Sequence, residues 1–237
     1  MIAETSPRDR IVRAAAALLA EGGRDGVTTR AVSRAAGVQA PTIYRQFGDM
    51  RGLLDAAASY GFAAYLHAEA GRDLPGDPVD DLRRGWDIQV AFGVANPAFH
   101  ALMYGDPSPG ETPTAARVAA DILRQLVHRV AEAGRLRTGV DDATDMLHAA
   151  GCGVTLTLIR TPPQRRDPAL STRTREAVLG ALVADSPAAR VVDRPGQPLR
   201  HAIALRAALP DLAADLTDAE RALLTEWLDR LIRAPHT

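Results

Sequence analysis

Cysteine, aromatic residues and long apolar runs are all scarce in this sequence of 237 residues. The single cysteine, Cys152, cannot form an intramolecular disulfide, which is typical of proteins from a reducing compartment. No apolar run approaches the ~20 residues that a membrane-spanning helix needs. The apolar segment near the N-terminus is interrupted by arginines and is followed by no signal-peptide cleavage site. These absences predict a cytoplasmic protein with no membrane partner.

Lysine is also absent, and the 28 basic residues, all arginines, are unevenly distributed. Residues 1–51 contain 8 Arg against 5 acidic residues, a net charge of +3. Residues 52–237 contain 20 Arg against 24 acidic residues, a net charge of −4. The overall charge of −1 therefore hides a basic N-terminal segment, which is the distribution expected where one end of a chain meets nucleic acid.

Helical patterns run through the whole chain, whereas apolar and polar residues show no sustained strand-like alternation. The sequence therefore predicts an all-α fold, in which a small three-helix head is joined by a long helix to a larger helical domain. The predicted domains are residues 1–52, residues 53–185 with the connecting helix at 49–70, and a linker with a helical extension at 186–237.

Local signals predict where several helices begin and which side chains face inward. Ser6 and Pro7 begin the first helix, which is expected to end near Gly22. Thr217 and Glu220 form a capping box before the last helix. Helical spacing assigns inward positions that include Ala35, Tyr60 and Val118.

The segment AGVQAPTIYRQF, residues 36–47, predicts a short helix with little apolar surface. Thr28 caps the short helix before it, Gly37 ends that helix, and Asp49 can cap the long helix that follows. This order is typical of a helix-turn-helix, whose second short helix enters the major groove of DNA. A helix that faces DNA needs few apolar anchors, and three are found here: Val38, Ile43 and Phe47.

Residues 23–58, GRDGVTTRAVSRAAGVQAPTIYRQFGDMRGLLDAAA, resemble the DNA-binding head of TetR-family transcription regulators. The paired threonines, the glycine turn, the Thr-Ile-Tyr sequence and the following Phe all occur at the family's spacing, and the resemblance covers about residues 8–58. It implies a homodimer whose two heads bind a pseudo-palindromic operator in double-stranded DNA, with half-sites ~34–36 Å apart.

The resemblance also implies the residues that contact DNA. The start of the second helix would meet phosphates through hydroxyl and backbone N–H groups, and the start of the third would meet base edges. Glutamine can read adenine, and proline, alanine and the threonine methyl can pack on the thymine methyl. The implied contacts are Thr28, Thr29, Arg30, Gln39, Ala40, Pro41, Thr42, Tyr44, Arg45 and Arg51.

Two positions depart from the family's pattern. Gln39 stands where the family often has a serine that caps the recognition helix, so this cap is either weaker or supplied elsewhere. Met50 stands where the family usually has a basic residue, and Arg51 follows it. The phosphate contact at this place is therefore either lost or shifted to Arg51.

Motifs for enzymatic chemistry are not found, so the sequence predicts no enzyme, no catalytic residue and no cofactor. His148 and Cys152 lie four residues apart on one helix, and Asp145 lies three residues before His148. This spacing could hold a metal ion, but His and Cys inside an apolar helix are more often core or pocket residues. No metal site is predicted.

Aromatic residues and methionine are concentrated in the first helices of the larger domain, near several polar side chains. Pockets between helices commonly bind small apolar ligands, so we expect this domain to bind ligand as well as to dimerise. The candidate lining residues are Trp86, Gln89, Phe92, Phe99, His100, Met103, His128, His148, Cys152 and Thr155.

These patterns together predict a repressor that a small, largely apolar effector releases from its operator. The helix at 142–159, which is apolar on nearly every side, and the helix at 172–184 are the predicted dimer contacts. The connecting helix would transmit the effector's preference for one dimer geometry to the heads. Two alternatives stay open: a DNA-binding regulator without ligand control, and a helical enzyme or binding protein.

Overall fold

The computed structural model describes residues 6–69, 76–105, 111–184, 197–212 and 216–233. Within these ranges the chain is mainly helical, and an isolated β-bridge joins Leu136 and Val183. The predicted all-α fold class is confirmed. No helix in the described ranges is long and apolar enough to cross a membrane. The α-helices are α1 (Pro7–Gly26), α2 (Thr29–Ala36), α3 (Ala40–Phe47), α4 (Met50–Glu69), α5 (Pro78–Ala95), α6 (Pro97–Tyr104), α7 (Thr114–Glu132), α8 (Val140–Arg160), α9 (Leu170–Leu182), α10 (Gln197–Ala208) and α11 (Asp218–Arg233).

Helix α1 begins as predicted but continues past its predicted end. The Ser6 hydroxyl accepts a hydrogen bond from the backbone N–H of Asp9 at 3.1 Å and caps the helix. Gly23 then interrupts the helix with φ 63° and ψ −165°, and helical turns resume as far as Gly26. Glycine adopts this backbone conformation without a Cβ clash. The glycine signal near Gly22 therefore marked a kink rather than the end of the helix.

The described residues form two compact units. Unit 1 contains those among residues 1–74, 88–119 and 158–162. Unit 2 contains those among residues 75–87, 120–157 and 163–237. The domain boundaries predicted at residues 52 and 185 stay predictions.

The core of unit 1 forms where α1 packs against α2, α4 and α6, and where α3 packs against α2 and α4. Removing apolar side chains from water is the main favourable contribution to this packing. Each of the first four helices contributes at least one side chain with 0% exposure: Ile11, Leu19, Val32, Ile43 and Leu53.

Three positions predicted to face inward are exposed. Ala35 is exposed whereas its neighbour Ala36 is buried. Tyr60 is 41% exposed, and Phe62 takes the inward place in α4. Val118 is 43% exposed, because it lies on the other side of α7 from that helix's buried residues. Each error is one of helical phase, which short apolar patterns determine poorly.

Unit 2 is stabilised by contacts between α5 and α9. Nε1 of Trp86 donates a hydrogen bond to Oγ of Ser171 at 3.0 Å. The guanidinium of Arg83 forms an ion pair with Glu176, with 3.0 Å between Nη2 and Oε2. The hydrogen bond from Arg83 lowers the pKa of Glu176, which keeps this carboxylate ionised and the pair intact at neutral pH.

Gly61 allows α4 and α6 to approach closely within unit 1. A Cβ atom at Gly61 would lie 2.2 Å from Cε1 of Phe99, a distance that no real contact allows. Phe99 in turn packs against Phe92, with 6.2 Å between their ring centroids. A side chain at residue 61 would therefore displace a ring from a packed aromatic cluster.

We expect Gly61→Ala to lower the free energy of unfolding by about 1–3 kcal/mol, because the Phe99 ring must move to accept the methyl group. Urea denaturation followed by circular dichroism measures this change. Gly22→Ala is the matched control, since a Cβ at Gly22 would have no atom within 4 Å. Equal free energies of unfolding for the two variants would contradict the close approach at Gly61.

Candidate nucleic-acid interface

Helices α2 and α3 form the helix-turn-helix that the sequence predicted. The Thr28 hydroxyl accepts a hydrogen bond from the backbone N–H of Ala31 at 3.2 Å and caps α2. Gly37 follows α2 with φ 64° and ψ 41°, the left-handed conformation that favours glycine. The N–H of Val38 then donates to the carbonyl of Ser33 at 3.1 Å. These bonds fix the path of the chain into α3.

Helix α3 is anchored on one side and open on the other. Within α3, which is described along its whole length, Ile43 alone is buried and Phe47 is half-buried. Gln39 makes no capping hydrogen bond through its side chain, so the departure from serine leaves α3 without this cap. Pro41 lies in the first turn, where its missing N–H removes no intrahelical bond. The predicted base-contacting residues line the open side: Gln39, Pro41 and Arg45 are exposed, and Ala40 and Thr42 are half-buried.

The side chains predicted to contact phosphate converge where α2, α3 and α4 meet. The hydroxyl groups of Thr29 and Tyr44 share a hydrogen bond of 3.0 Å, and Tyr44 is 45% exposed. Oγ1 of Thr29 also lies 3.5 Å from Sδ of Met50, at the start of α4. Thr28 and Arg30 are exposed beside Thr29 on α2. Met50 therefore contacts this threonine with a thioether instead of offering a positive charge.

Arg51 has an acidic partner within unit 1. Its Nη1 lies 2.6 Å from Oε2 of Glu111, and the two side chains are 75% and 64% exposed. Asp55, one turn further along α4, accepts a hydrogen bond from the backbone N–H of Thr114 at 2.7 Å and caps α7. The first two turns of α4 are therefore bound to the segment that begins α7.

Two arginines of α1 hold the C-terminal ends of α2 and α3, and sequence reasoning missed them. Nη1 of Arg8 donates to the carbonyl of Gln46 at 3.2 Å, and its guanidinium lies 4.6 Å from the ring centroid of Phe47. Nε of Arg10 donates to the carbonyl of Ala36 at 3.4 Å. The last carbonyls of a helix lack intrahelical donors and carry partial negative charge. These contacts span 38 and 26 residues of sequence, so no local pattern reveals them.

Half of the predicted effector-pocket residues lie on α5 and α6 within unit 1. His100 is 6% exposed, and in the described part of the chain its Nε2 is buried without a hydrogen-bond partner. Burial lowers the pKa of His100, so the ring is neutral at pH 7. The rings of His100 and Tyr104 lie 5.0 Å apart, and the Tyr104 hydroxyl accepts a hydrogen bond from Gln89 at 3.1 Å. The five residues of this group are Gln89, Phe92, Phe99, His100 and Met103.

The other predicted pocket residues lie in unit 2. Besides its bond to Ser171, Trp86 lies beside Gly151, where a Cβ atom would be 3.7 Å from the indole ring. The hydroxyl of Thr155 donates to the carbonyl of Gly151 at 2.8 Å. His128 has Nδ1 3.6 Å from a carboxylate oxygen of Glu132. These contacts within unit 2 leave Thr155 and Trp86 already hydrogen-bonded.

His148 and Cys152 are neighbours on α8, as their spacing predicted. Sγ of Cys152 lies 3.7 Å from Nε2 of His148. Burial raises the pKa of the Cys152 thiol to about 11, so the thiolate that binds metals is scarce at neutral pH. Among the described residues, no group of three or more His, Cys, Asp or Glu could hold a metal ion.

Known proteins resemble the N-terminal part of this chain most clearly. Residues 11–57 match the family model of bacterial regulatory proteins, tetR family. An uncharacterized HTH-type transcriptional regulator from Mycobacterium bovis is 38% identical over 71 residues, which are 30% of this chain and 35% of that protein. The tetracycline repressor protein class A from transposon 1721 of Escherichia coli is 50% identical over 48 residues, 20% of this chain and 22% of the repressor. The chain thus spans about a third or less of the length of either relative.

The likeness of fold extends further along the chain. The crystal structure of a TetR transcriptional regulator from Agrobacterium tumefaciens aligns with a TM-score of 0.52 and 20% identity, over 76% of this chain and 96% of that one. The match at residues 11–57 includes α2 and α3, the two helices of the helix-turn-helix. The geometry of these helices and the spacing of the sequence motif therefore indicate the same kind of domain. The N-terminal domain of this chain is therefore a helix-turn-helix domain of the kind found in bacterial regulatory proteins of the tetR family.

Proposed function

We propose that this protein is a transcriptional repressor that binds a pseudo-palindromic DNA operator through α3. The observation that carries the proposal is the open side of α3, which presents Gln39, Pro41 and Arg45 while Ile43 alone is buried within this fully described helix. Gln39 would read adenine, and Pro41 would pack against a thymine methyl group. Arg45 would meet a guanine or a phosphate.

Phosphate contacts would set the position of α3 in the groove without reading sequence. Thr29 and Tyr44 already share a hydrogen bond, so their hydroxyls form one polar edge that a phosphate oxygen can approach. Thr28 and Arg30 extend this edge along α2. The net charge of +3 in residues 1–51 favours the same encounter with DNA.

Dimerisation would bring two such heads to successive half-sites. The faces of α8 and α9 support this part of the proposal, because they expose apolar and very small side chains. On α8, Met146 and Leu156 are 48% and 49% exposed. Small side chains allow helices from two subunits to pack closely. The exposed small residues are Ala149 and Gly153 on α8, and Ala177, Gly180 and Ala181 on α9.

A small, largely apolar effector would bind in unit 1 near His100 and release the operator. The support is Nε2 of His100, which is buried beside the aromatic cluster and has no hydrogen-bond partner among the described residues, because buried polar atoms are usually hydrogen-bonded. One polar group on the effector would complete this bond. The effector can favour release only through its preference for the geometry that does not fit DNA.

Selection of operators from random DNA with the purified protein tests the DNA-binding proposal. We expect Thr42→Ala with Tyr44→Phe to weaken binding to the selected operator by about 1–3 kcal/mol, because base and phosphate contacts are both lost. Gel-shift titration measures the change, and thermal unfolding shows whether the head stays folded. Tyr60→Phe is the control, since this tyrosine is also exposed but lies in the middle of α4, outside the helix-turn-helix. Unchanged affinity in the double variant would refute the assignment of α3.

The ion pair between Arg51 and Glu111 predicts a charge exchange on DNA binding. Glu111 pairs with the guanidinium of Arg51, which would otherwise contact a DNA phosphate. We therefore expect Glu111→Gln to tighten operator binding by up to about fivefold. This factor corresponds to about 1 kcal/mol, the upper value for an exposed ion pair. Arg51→Gln should weaken operator binding. It should also reduce the slope of log affinity against log salt concentration by about 1, the contribution of one phosphate contact.

Two comparisons make this test specific. The double variant Glu111→Gln with Arg51→Gln should bind like Arg51→Gln alone, since Glu111 acts through Arg51. Glu226→Gln removes another exposed, arginine-paired carboxylate and should leave affinity unchanged. If Glu226→Gln tightened binding as much as Glu111→Gln, net charge rather than the Arg51 pair would be the cause.

An effector that binds near His100 should raise the thermal midpoint of the protein and weaken its binding to the operator. Thermal shift measurements across a panel of apolar compounds with one hydrogen-bonding group would find it. His100→Phe should then weaken effector binding by roughly 5-fold or more, since the polar group loses its partner. His67→Phe, at an exposed position of α4, is the control. The proposal fails if every compound that stabilises the protein binds His100→Phe as tightly as it binds the unsubstituted chain.

A further inference from the structure

The C-terminal end of α3 is held through its backbone carbonyls and the ring of Phe47. The carbonyl of Tyr44 accepts a hydrogen bond from the N–H of Gly48 at 2.8 Å. The carbonyl of Gln46 accepts one from Nη1 of Arg8 at 3.2 Å, and the same guanidinium lies 4.6 Å from the centroid of the Phe47 ring. The last carbonyls of a helix lack intrahelical donors and carry partial negative charge. Arg8 therefore supplies a donor and a positive charge where the end of α3 offers acceptors.

A close approach to α4 limits the same end of α3. A Cβ atom at Gly52 would lie 2.3 Å from the carbonyl oxygen of Phe47, so the first turn of α4 packs directly against the last residue of α3. The N–H of Gly52 donates to a carboxylate oxygen of Asp49 at 2.8 Å and fixes the start of α4 at this place. A backbone oxygen cannot rotate away as a side chain can. Movement of this end toward α4 is therefore blocked, and Arg8 opposes its movement away from α1.

Arg8 can fix α3 because α1 is itself firmly packed. Ile11, Ala15 and Leu19 have 0% exposure, and α1 packs against α2 and α4. Ser6 caps the turn of α1 that carries Arg8. A guanidinium is planar and can donate a hydrogen bond while its face lies on an aromatic ring. This side chain thus joins a well-buried helix to a helix that has a single buried residue.

Helix α3 is a short rod with one buried pivot. Ile43 is its only buried side chain, and the helix is described along its full length. Gln39 lies four residues before this pivot and Gln46 lies three residues after it, a separation of about 10 Å along the helix axis. A shift of the Gln46 end therefore produces an opposite shift of similar size at the Gln39 end. Base contacts tolerate little movement, because hydrogen bonds weaken steeply when their geometry changes.

We propose that Arg8 is a positioning residue for operator recognition, which sets the tilt of α3 through Gln46 and Phe47. This inference rests on the proposed binding of DNA by α3. Arg8 acts on the helix and not on DNA, whereas Arg45 is proposed to contact DNA itself. Loss of Arg8 should therefore weaken the base contacts, which depend on the tilt of α3. The charge-driven binding of any DNA sequence should change much less.

Fluorescence anisotropy with two DNA duplexes tests the proposal. One duplex is an operator selected by the unsubstituted chain, and the other is a scrambled duplex of the same length and composition. Arg8→Gln should lower affinity for the operator by about fivefold or more, the cost of one mismatched base pair. Arg13→Gln is the matched control, because it removes the same charge from another exposed position of α1. For the scrambled duplex, the two variants should have the same affinity.

Salt dependence separates positioning from direct contact. For the operator, the slope of log affinity against log salt concentration should be the same in Arg8→Gln and Arg13→Gln. A slope smaller by about 1 in Arg8→Gln alone would show a lost phosphate contact and overturn the proposal. Equal losses of affinity for the operator and the scrambled duplex would also overturn it. If the unsubstituted chain does not distinguish the two duplexes, the proposed DNA-binding function fails, and this inference fails with it.

A double-variant cycle tests the route through Phe47. Phe47→Leu removes the aromatic face but keeps an apolar side chain at this half-buried position. It should reproduce part of the loss of operator affinity. The double variant Arg8→Gln with Phe47→Leu should lose less than the product of the two single losses, because the two side chains act together. A double loss equal to that product would contradict this route. Arg8→Lys, which keeps the charge and a donor, should restore part of the discrimination.

Hydrogen exchange of the free protein gives a readout that does not depend on DNA. In Arg8→Gln, the amides of residues 44–48 should exchange faster than in Arg13→Gln, because the end of α3 has lost one of its contacts. The amides of α4 should exchange equally in both variants. Thermal unfolding shows whether each variant is folded at the temperature used. Unchanged exchange at the end of α3 would overturn the role of Arg8 in holding this helix.

Discussion

The position of α3 depends on one buried side chain, Ile43, together with contacts at the two ends of the helix, since its other residues are half-buried or exposed. Gly37 directs the chain into α3, and Arg8 binds the carbonyl near its C-terminus. A helix with so small an apolar face cannot be fixed by burial alone, because few of its atoms leave water. Hydrogen bonds and the cation–π contact with Phe47 supply the orientation that burial does not.

Helix α4 connects this arrangement with the aromatic cluster of unit 1. Arg51 and Asp55 bind its first two turns to the start of α7, and Gly61 brings its middle against Phe99. A ligand that moved the Phe99 ring would therefore act on the same continuous helix whose start lies beside the Thr29 and Met50 contact. This continuity is the physical basis for the proposed response to an effector, whose energy would come from its preference for one of two packings.

Unit 2 presents a different surface from the head. Its helices α8, α9 and α11 expose glycine, alanine and large apolar side chains, whereas the open side of α3 exposes polar and charged groups. Polar groups suit a hydrated, charged partner such as DNA. Apolar and small side chains suit another helix, because close packing needs surfaces that lose little by leaving water. The head and unit 2 thus present two chemically different kinds of surface.

The sequence by itself determined the all-α fold, the helix starts at Ser6, Thr28 and Thr217, and the helix-turn-helix, because caps, glycine turns and helical spacing are local signals. The DNA contacts, the effector and the dimer remain predictions. Tertiary structure alone decided the phase of α4 and α7, the caps from Arg8 and Arg10, the pairing of Arg51 with Glu111, and the division of the pocket residues between two units. The contacts of Arg8, Arg10 and Arg51 join residues that lie 38, 26 and 60 positions apart in the chain. Helical periodicity says which residues share a face but not which other helix that face meets.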